Sequence, residues 1–295
     1  MSFSNVRGGS VKLNSGFDIP LVGLGTYKIR GDDVPKAIEG ALAAGYRMFD
    51  TAKYYHNEEE LGAALEQALP KFGLKREDVF LTTKLWPAAE NNTEATRKGV
   101  MESLANFRTT YMDLVLVHYP KANEHANDDP INKITRKDAY LELEKLKEEG
   151  IIRSIGVSNF EVRHLEEMVD YQKSAPSVNQ LEFHPHFTRP DIKKYCDEHG
   201  IWFQAFSSLG RHQPELVNDP IVVDIAKKHG VTVEIVLLAF AYCQNVGIVP
   251  KSTNPERVAA NMAVVDLKLS EDEIKALEGL NKNQHYIRCY GWEVL

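Results

Sequence analysis

The chain has 295 residues, of which 43% are apolar and 26% are charged, and its formal net charge is −7. This composition is typical of a globular protein with a substantial core, and the acidic balance argues against nucleic acid or an anionic membrane as a partner. The three cysteines, Cys196, Cys243 and Cys289, lie far apart without metal-ligand spacing, which predicts reduced thiols and a cytoplasmic location.

The first segment, "MSFSNVRGGS", lacks the basic-then-apolar pattern of a secretory signal. The next, "SVKLNSGFDIP", has two short β-type runs separated by Asn14, Ser15 and Gly16, which favour a turn. The sequence therefore predicts a small N-terminal β-hairpin over residues 10–20.

After the hairpin, apolar β-type runs alternate with amphipathic stretches. The runs are "LVGLGT", "YRMFD", "VFLTTK", "MDLVLVH", "IRSIGVS", "SVNQLE", "IWFQAF" and "VGIVP". Helices are predicted between or after them over residues 33–44, 57–69, 91–107, 137–149, 161–172, 190–199 and 220–243. The last stretch contains "VEIVLLAFAY", which includes Glu234 and is too short to span a bilayer.

Strands that are apolar on both faces and alternate with helices indicate a parallel sheet covered by helices. Eight such units fit a (β/α)8 barrel, also called a TIM barrel, and a doubly wound sheet would normally need fewer strands. No linker or change in composition divides the chain. We therefore predict one domain over residues 1–295, with the N-terminal hairpin and extra C-terminal helices and a loop.

Two helix starts carry a capping signal. Asn57 precedes a glutamate at the third helical position, Glu60, and Ser270 precedes Glu273 in the same way. Both patterns predict an N-cap side chain that bonds the first helical turn.

Polar residues stand at the ends of three successive predicted strands: Asp50, Lys84 and His118. Tyr55 follows Asp50 in the next loop. Because the strands of a parallel barrel all end on one face, where active sites are built, these four side chains are expected to converge there.

The four groups suit proton transfer between a carbonyl and an alcohol. A tyrosine hydroxyl has an unperturbed pKa near ~10, and a nearby lysine ammonium lowers it. Asp50 would keep Lys84 charged, and a neutral His118 would orient the substrate oxygen. No serine or cysteine is placed as an activated nucleophile.

With these residues in view, the chain resembles the aldo-keto reductase family over nearly its whole length. The resemblance rests on "GYRMFDTAKYYHNEEELG", "TTKLW", "DLVLVHYP", "GVSNF", "VNQLEFHP" and "VPKS", in the family's order. It implies a (β/α)8 barrel that binds a nicotinamide cofactor without a Rossmann fold, in agreement with the absence of a GxGxxG motif.

The resemblance also implies roles for individual residues. Tyr55 is the general acid, Lys84 and Asp50 tune it, and His118 positions the carbonyl. Ser158, Asn159 and Gln180 would bond the nicotinamide carboxamide. The other cofactor-binding residues implied in this part of the barrel are Thr26, Tyr27, Asp50, Phe206, Ser207 and Leu209. In "FQAFSSLG", Phe206 stands where the family most often has a tyrosine that stacks on the nicotinamide, and stacking needs only the ring face.

The segment "PKSTNPERVAAN" would bind the adenosine end. Asn254 is predicted to cap a helix that has Pro255 at its first position. Lys251, Ser252, Thr253 and Arg257 would bind a 2′-phosphate, which predicts NADPH as the cofactor. The residues implied near adenine include Asn261, although Ala260 replaces a glutamate that is common before it.

The substrate wall is implied to consist of Tyr27, Tyr55, Trp86, His118 and Tyr119. Tyr27 and Tyr119 each replace a frequent tryptophan, and Ser208 replaces a frequent proline, so the carbonyl substrate is not identified. Loops 119–135 and 207–219 and the tail 281–295 shape the pocket in this family. Glu182 has either a structural role or a cofactor contact.

We thus expect a cytoplasmic, monomeric reductase of small aldehydes and ketones that uses NADPH and holds no metal. One alternative is a catalytically silent NADPH-binding regulatory barrel. Another is a metal-dependent barrel hydrolase, for which the only pointer is "HPH" at 184–186; its proline and lack of nearby carboxylate spacing favour a structural role.

Overall fold

The computed structural model describes residues 3–295. It begins with the predicted hairpin, in which β1 (Ser10–Lys12) pairs with β2 (Asp18–Pro20) in antiparallel fashion. Leu13 and Ile19 of this hairpin pack in one apolar cluster with Phe80 and Val178, which lie at the starts of barrel strands. The hairpin therefore covers the amino-terminal end of the barrel, opposite the predicted site.

The main sheet has eight parallel strands whose spatial order follows their order in the chain. They are β3 (Leu24–Gly25), β4 (Met48–Asp50), β5 (Phe80–Leu85), β6 (Met112–Val117), β7 (Ile152–Ser158), β8 (Val178–Glu182), β9 (Trp202–Phe206) and β10 (Gly247–Ile248). Every residue of the central strands β5 and β6 is buried, as expected for strands covered on both faces.

Hydrogen bonds between the first and last strand segments bring the sheet round on itself. The Gly23 N–H donates to Ile248 O at 2.9 Å, and the Gly25 N–H donates to Pro250 O at 3.0 Å. A Cβ at position 25 would lie only 2.5 Å from Val249 O, so this close approach requires glycine. The predicted (β/α)8 barrel is confirmed.

Eleven α-helices accompany the strands within residues 3–295. They are α1 (Asp33–Ala44), α2 (Glu58–Lys71), α3 (Asn92–Phe107), α4 (Ile131–Glu148), α5 (Val162–Met168), α6 (Pro190–Glu198), α7 (Pro214–Val217), α8 (Pro220–His229), α9 (Val233–Tyr242), α10 (Pro255–Asn261) and α11 (Glu271–Glu278). The main core cluster lies between the sheet and these helices.

Some helix predictions were wrong in extent. The single helix predicted over 220–243 is two helices, α8 and α9, because Gly230 adopts a left-handed conformation at φ 66° that ends α8. The helix predicted over 137–149 begins earlier, at Ile131, and the one predicted over 161–172 ends at Met168.

Of the predicted caps, two are confirmed and one is wrong. The Ser270 hydroxyl accepts the Glu273 N–H, and the Asn254 side chain accepts the Arg257 N–H at 2.7 Å. Asn57 precedes α2, but its side chain makes no capping bond. The Asn57 carboxamide instead forms hydrogen bonds with Thr51 and with the backbone of Thr26 and Ile29, in the loops around the site.

Candidate active site

A buried ion pair lies at the centre of the carboxyl-terminal face of the barrel. Lys84 of β5 donates from Nζ to Asp50 Oδ1 of β4 at 2.6 Å and to Thr51 O at 2.8 Å. The two side chains are only 1% and 4% exposed. Gln180 of β8 donates from Nε2 to the second carboxylate oxygen of Asp50 at 2.8 Å. Both charges are thus paired and hydrogen-bonded, which offsets the cost of burying them.

Tyr55 ends a short 3-10 turn, Lys53–Tyr55, directly above this pair. Lys84 Nζ lies 5.2 Å from the centroid of its ring. The turn is held by its neighbours: Arg30 Nη2 donates to Tyr55 O at 2.7 Å, and Asn57 Nδ2 donates to Thr26 O at 2.9 Å. The structure therefore brings Asp50, Lys84 and Tyr55 together as predicted.

His118 follows β6 and completes the cluster. Its ring lies 5.9 Å from the Tyr55 ring, edge to face, and 5.8 Å from Trp86. Trp86 stacks on Tyr119 at 4.9 Å, and Tyr27 lies 5.0 Å from Tyr55. These aromatic side chains form a continuous wall around the position above Lys84.

Burial dominates the protonation equilibria at the site. It lowers the pKa of Lys84, and the charge and hydrogen bond of Asp50 oppose that shift. It also lowers the pKa of His118 well below its usual value, and the charge of Lys84 adds to the effect, so the imidazole is neutral at neutral pH.

The pKa of Tyr55 is raised well above 10 by burial first and then by the charge of Asp50. The net lowering of this pKa that the sequence predicted is therefore not seen, because burial and the charge of Asp50 both disfavour the phenolate. Tyr55 is accordingly a neutral phenol at neutral pH, which is the protonated form that a proton donor needs.

Three polar residues beside this cluster fit a nicotinamide carboxamide. The Ser158 hydroxyl donates to Gln180 O at 2.8 Å, and Asn159 Nδ2 donates to His118 O at 3.0 Å. In both bonds the side chain is the donor. No described residue donates to Asn159 Oδ1 or Gln180 Oε1. Two carbonyl oxygens therefore remain as acceptors for an amide NH2 group.

Phe206 ends β9 on the same face and is only partly buried, so its ring can offer a face to a flat ligand. Ser207 follows in a left-handed conformation at φ 52°, and its carbonyl accepts the Gly210 N–H, which turns the chain next to Leu209. Thr26 is fully buried, and its hydroxyl donates to Asp50 O at 2.9 Å. The Thr26 side chain thus holds Asp50 and leaves little surface for a ligand.

A second polar cluster lies at the start of α10. Lys251 is exposed, and its pKa is lowered by partial burial and by the positive charges of Arg257 and Lys28, while Asp33 opposes the shift. Arg257 Nε donates to the Ser252 hydroxyl at 3.4 Å. Thr253 lies beside them, and Asn261 is buried at the far end of α10. Several cations thus lie close enough to repel one another, which suits an anionic ligand.

The C-terminal tail folds over the same face. Glu182, whose role the sequence left open, accepts the Tyr286 and Ile287 N–H groups at 2.6 and 3.1 Å, so it holds the tail in place. A Cβ at Gly291 would lie 2.1 Å from Asn159 O, which shows how closely the tail approaches the site. The thiolate of Cys289 would raise the pKa of Tyr55, so this side chain lies near the phenol.

The two histidines of the "HPH" segment make hydrogen bonds within the protein. His184 Nε2 lies 3.0 Å from Glu182 Oε1, and His186 Nδ1 lies 2.7 Å from the Tyr286 hydroxyl. Within residues 3–295, no three His, Cys, Asp or Glu side chains form a group that could hold a metal ion. No helix in that range is long and apolar enough to cross a membrane.

Sequence reasoning missed residues whose side chains reach the site across the fold. Gln204 of β9 accepts from Gln180 at 2.7 Å, and Asn57 joins the loops after β3 and β4. Period-2 alternation could have placed Gln204 on the inner face of its strand. Nothing local marks Asn57 or Cys289, because their partners are distant in sequence.

Comparisons with known proteins agree with this geometry. The model of the "Aldo/keto reductase family" matches residues 21–282. Aldose reductase B of Dictyostelium discoideum is 36% identical over 282 residues, which are 90% of each chain, and an NADH-dependent D-xylose reductase of Candida parapsilosis is 32% identical over 94% of each. The structure of the aldose reductase from Schistosoma japonicum superimposes with a TM-score of 0.85 at 36% identity over 93% of each chain. The chain belongs to the aldo/keto reductase family.

Proposed function

We propose that this protein reduces aldehydes and ketones to alcohols with NADPH, and that Tyr55 is the proton donor. The observation that carries the proposal is the convergence of Tyr55, Lys84, Asp50 and His118 at one end of the barrel, beside acceptors suited to a nicotinamide. The aldose and xylose reductases named above act on carbonyl compounds, which supports the same chemistry here.

In this mechanism the bound nicotinamide supplies the hydride, and the side chains manage the oxygen. Tyr55 and neutral His118 donate hydrogen bonds to the substrate oxygen as negative charge develops on it. Tyr55 then transfers its proton to that oxygen, and the Lys84 ammonium stabilises the resulting phenolate. Asp50 holds Lys84 under the ring, and the aromatic wall of Trp86 and Tyr119 excludes water.

The preference for NADPH rests on the cations around α10. Lys251 and Arg257 lie at its start, and neither forms an ion pair with a carboxylate in the described part of the chain. A planar guanidinium matches the oxygens of a 2′-phosphate, which NADH lacks. Because a relative is named as NADH-dependent, we base the preference for NADPH on Lys251 and Arg257 and not on membership of the family.

Tyr55→Phe tests the proton donor. Turnover should fall about 100-fold or more, since general acid catalysis contributes that much, while NADPH still quenches the intrinsic fluorescence. The matched control is Tyr195→Phe, which removes a hydroxyl from the outer helix α6. Wild-type turnover in Tyr55→Phe would refute the assignment.

Arg257→Ala tests the cofactor preference. The Kd for NADPH should rise about tenfold, as expected for a lost charged hydrogen bond, while the Kd for NADH hardly changes. Arg108→Ala, which removes a guanidinium from a surface ion pair with Glu66, serves as the control. Equal losses for both cofactors would argue against a phosphate contact.

The alternative of a silent NADPH-binding barrel predicts cofactor binding without consumption across a broad panel of carbonyls. We favour the enzyme because all four catalytic side chains are in contact range. We further propose a cytoplasmic monomer whose residues 1–295 form one domain. Free thiols at all three cysteines support the location, and a core cluster that runs from Val22 to Leu277 supports the single domain.

A further inference from the structure

A cavity of about 460 Å³ opens beside Tyr55, between the loop after β3 and the turn that carries the tyrosine. Its wall consists of Tyr27, Lys28, Arg30, Tyr54, Tyr55 and His56. The proposed mechanism uses only Tyr55 of these. Of the four proposed catalytic side chains, only Tyr55 lines the cavity, so the cavity adjoins the reaction centre at the tyrosine.

The charge in this wall has one sign, although the whole chain is acidic at −7. It contains the basic side chains Lys28 and Arg30 and no carboxylate, and neither of the two forms an ion pair with a carboxylate among residues 3–295. The Glu60 carboxylate lies outside this wall, and its Oε2 accepts the Gly31 N–H at 3.0 Å. An unpaired guanidinium in a concave wall is a site for an anion.

Arg30 is held in place. Its Nη2 donates to Tyr55 O at 2.7 Å, which leaves the other N–H groups of the guanidinium free. Lys28 does not act on this cavity alone, because its charge also lowers the pKa of Lys251 in the cofactor region. The exposed rings of Tyr27 and Tyr54 flank the cavity and can cover the apolar part of a ligand.

We propose that this cavity binds a carboxylate on the carbonyl substrate, with Arg30 as its anchor. The inference rests on the proposed function, since it places the reacting carbonyl at the Tyr55 hydroxyl. Arg30 bonds the backbone of Tyr55, so the length of a tyrosine side chain separates the anchor from that hydroxyl. The preferred substrates are therefore aldehydes whose carboxylate lies several bonds from the carbonyl, as in a para-substituted benzaldehyde.

The test compares 4-carboxybenzaldehyde with its neutral methyl ester at saturating NADPH. Wild-type enzyme should show kcat/KM about tenfold or more in favour of the carboxylate, as expected for charged hydrogen bonds. Arg30→Gln should bring the ratio close to one, whereas Arg30→Lys should retain part of it. Lys12→Gln, which removes a cation from the hairpin at the other end of the barrel, should leave the ratio at its wild-type value.

Binding of the product provides a second readout that needs no turnover. Calorimetric titration of 4-(hydroxymethyl)benzoate into the NADP+ complex should give a Kd about tenfold weaker for Arg30→Gln than for wild type. A wild-type ratio near one overturns the inference but leaves the proposed function intact. Equal losses for both substrates in Arg30→Gln also overturn it, because they would mean that Arg30 acts only through Tyr55. If no carbonyl is reduced, the proposed function fails, and loss of binding in Arg30→Gln still supports the anion site.

Discussion

Replacing Asp50 by asparagine tests the ion pair that the whole site depends on. The change keeps the shape of the side chain and its hydrogen bond to Gln180 but removes the negative charge beside Lys84. The ammonium then keeps one neutral acceptor, Thr51 O, at 2.8 Å.

The expected cost follows from burial. The Lys84 side chain is 1% exposed and that of Asp50 is 4%, so water cannot replace the lost partner. Breaking a buried pair by removing one charge typically costs about 3–5 kcal/mol, and we expect the free energy of unfolding to fall by about this amount. In Asp50→Asn/Lys84→Met neither charge remains, and stability should return to within about 1–2 kcal/mol of wild type.

The stability of Asp50→Asn should also depend on pH in a defined direction. Burial lowers the pKa of Lys84, and Asp50 opposes this shift, so its removal lowers that pKa further. The unfolded chain then binds more protons between the folded and unfolded pKa values, and stability rises with pH across that window. The deficit relative to wild type should therefore shrink as pH rises through the lowered pKa of Lys84.

Urea unfolding followed by tryptophan fluorescence measures these differences, and NADPH oxidation measures activity in parallel. We expect a large loss of turnover in Asp50→Asn, because a neutral or displaced Lys84 no longer stabilises the Tyr55 phenolate. A stability loss below about 1 kcal/mol, or a double variant as unstable as the single one, would refute the buried pair.

Three further predictions concern residues around the site. Asn57→Ala removes buried hydrogen bonds that hold the loops beside Tyr55; it should cost about 1–3 kcal/mol in urea unfolding and lower kcat more than it raises KM. Gly291→Ala places a Cβ against Asn159 O, so the tail must shift. We expect KM for the carbonyl to change and stability to fall by about 1–3 kcal/mol. An unchanged KM and stability would contradict the close contact. Burial lowers the pKa of His164 to about 3, so unfolding assays should show stability lost as pH falls below about 6.5, by about 2 kcal/mol at pH 5, and His164→Gln should lack this dependence.

The neutral state of His164 has a visible basis. Its Nδ1 accepts the Glu161 N–H at 3.0 Å, so the proton resides on Nε2, which donates to Val294 O at 2.8 Å. Protonation of Nδ1 would break the first bond inside a fully buried position. His164 therefore connects the loss of stability at low pH with the position of the C-terminal tail, which its Nε2 contacts at Val294 O.

Local patterns were sufficient for the architecture. The alternation of apolar runs and amphipathic stretches predicted all eight strands, and a strand's direction alone placed Asp50, Lys84 and His118 on one face. The Ser270 cap and the hairpin were equally readable, because each depends on residues a few positions apart. These features need only chain geometry and short-range hydrogen bonds.

Other features depend on partners far along the chain. Asn57 had the sequence pattern of a cap, but its side chain found three partners in neighbouring loops. Glu182 could have contacted a cofactor, and only the folded tail showed that it binds backbone N–H groups more than 100 positions away.

The protonation state of Tyr55 was also decided by the tertiary structure. The sequence alone supplied the phenol, the ammonium and the carboxylate, together with the strand ends that bring them to one face. Packing decided how deeply the ring is buried and how near Asp50 and Cys289 lie to it, and these determine the direction of its pKa shift. Burial and long-range charge are sums over the whole fold, so no local pattern of residues contains them.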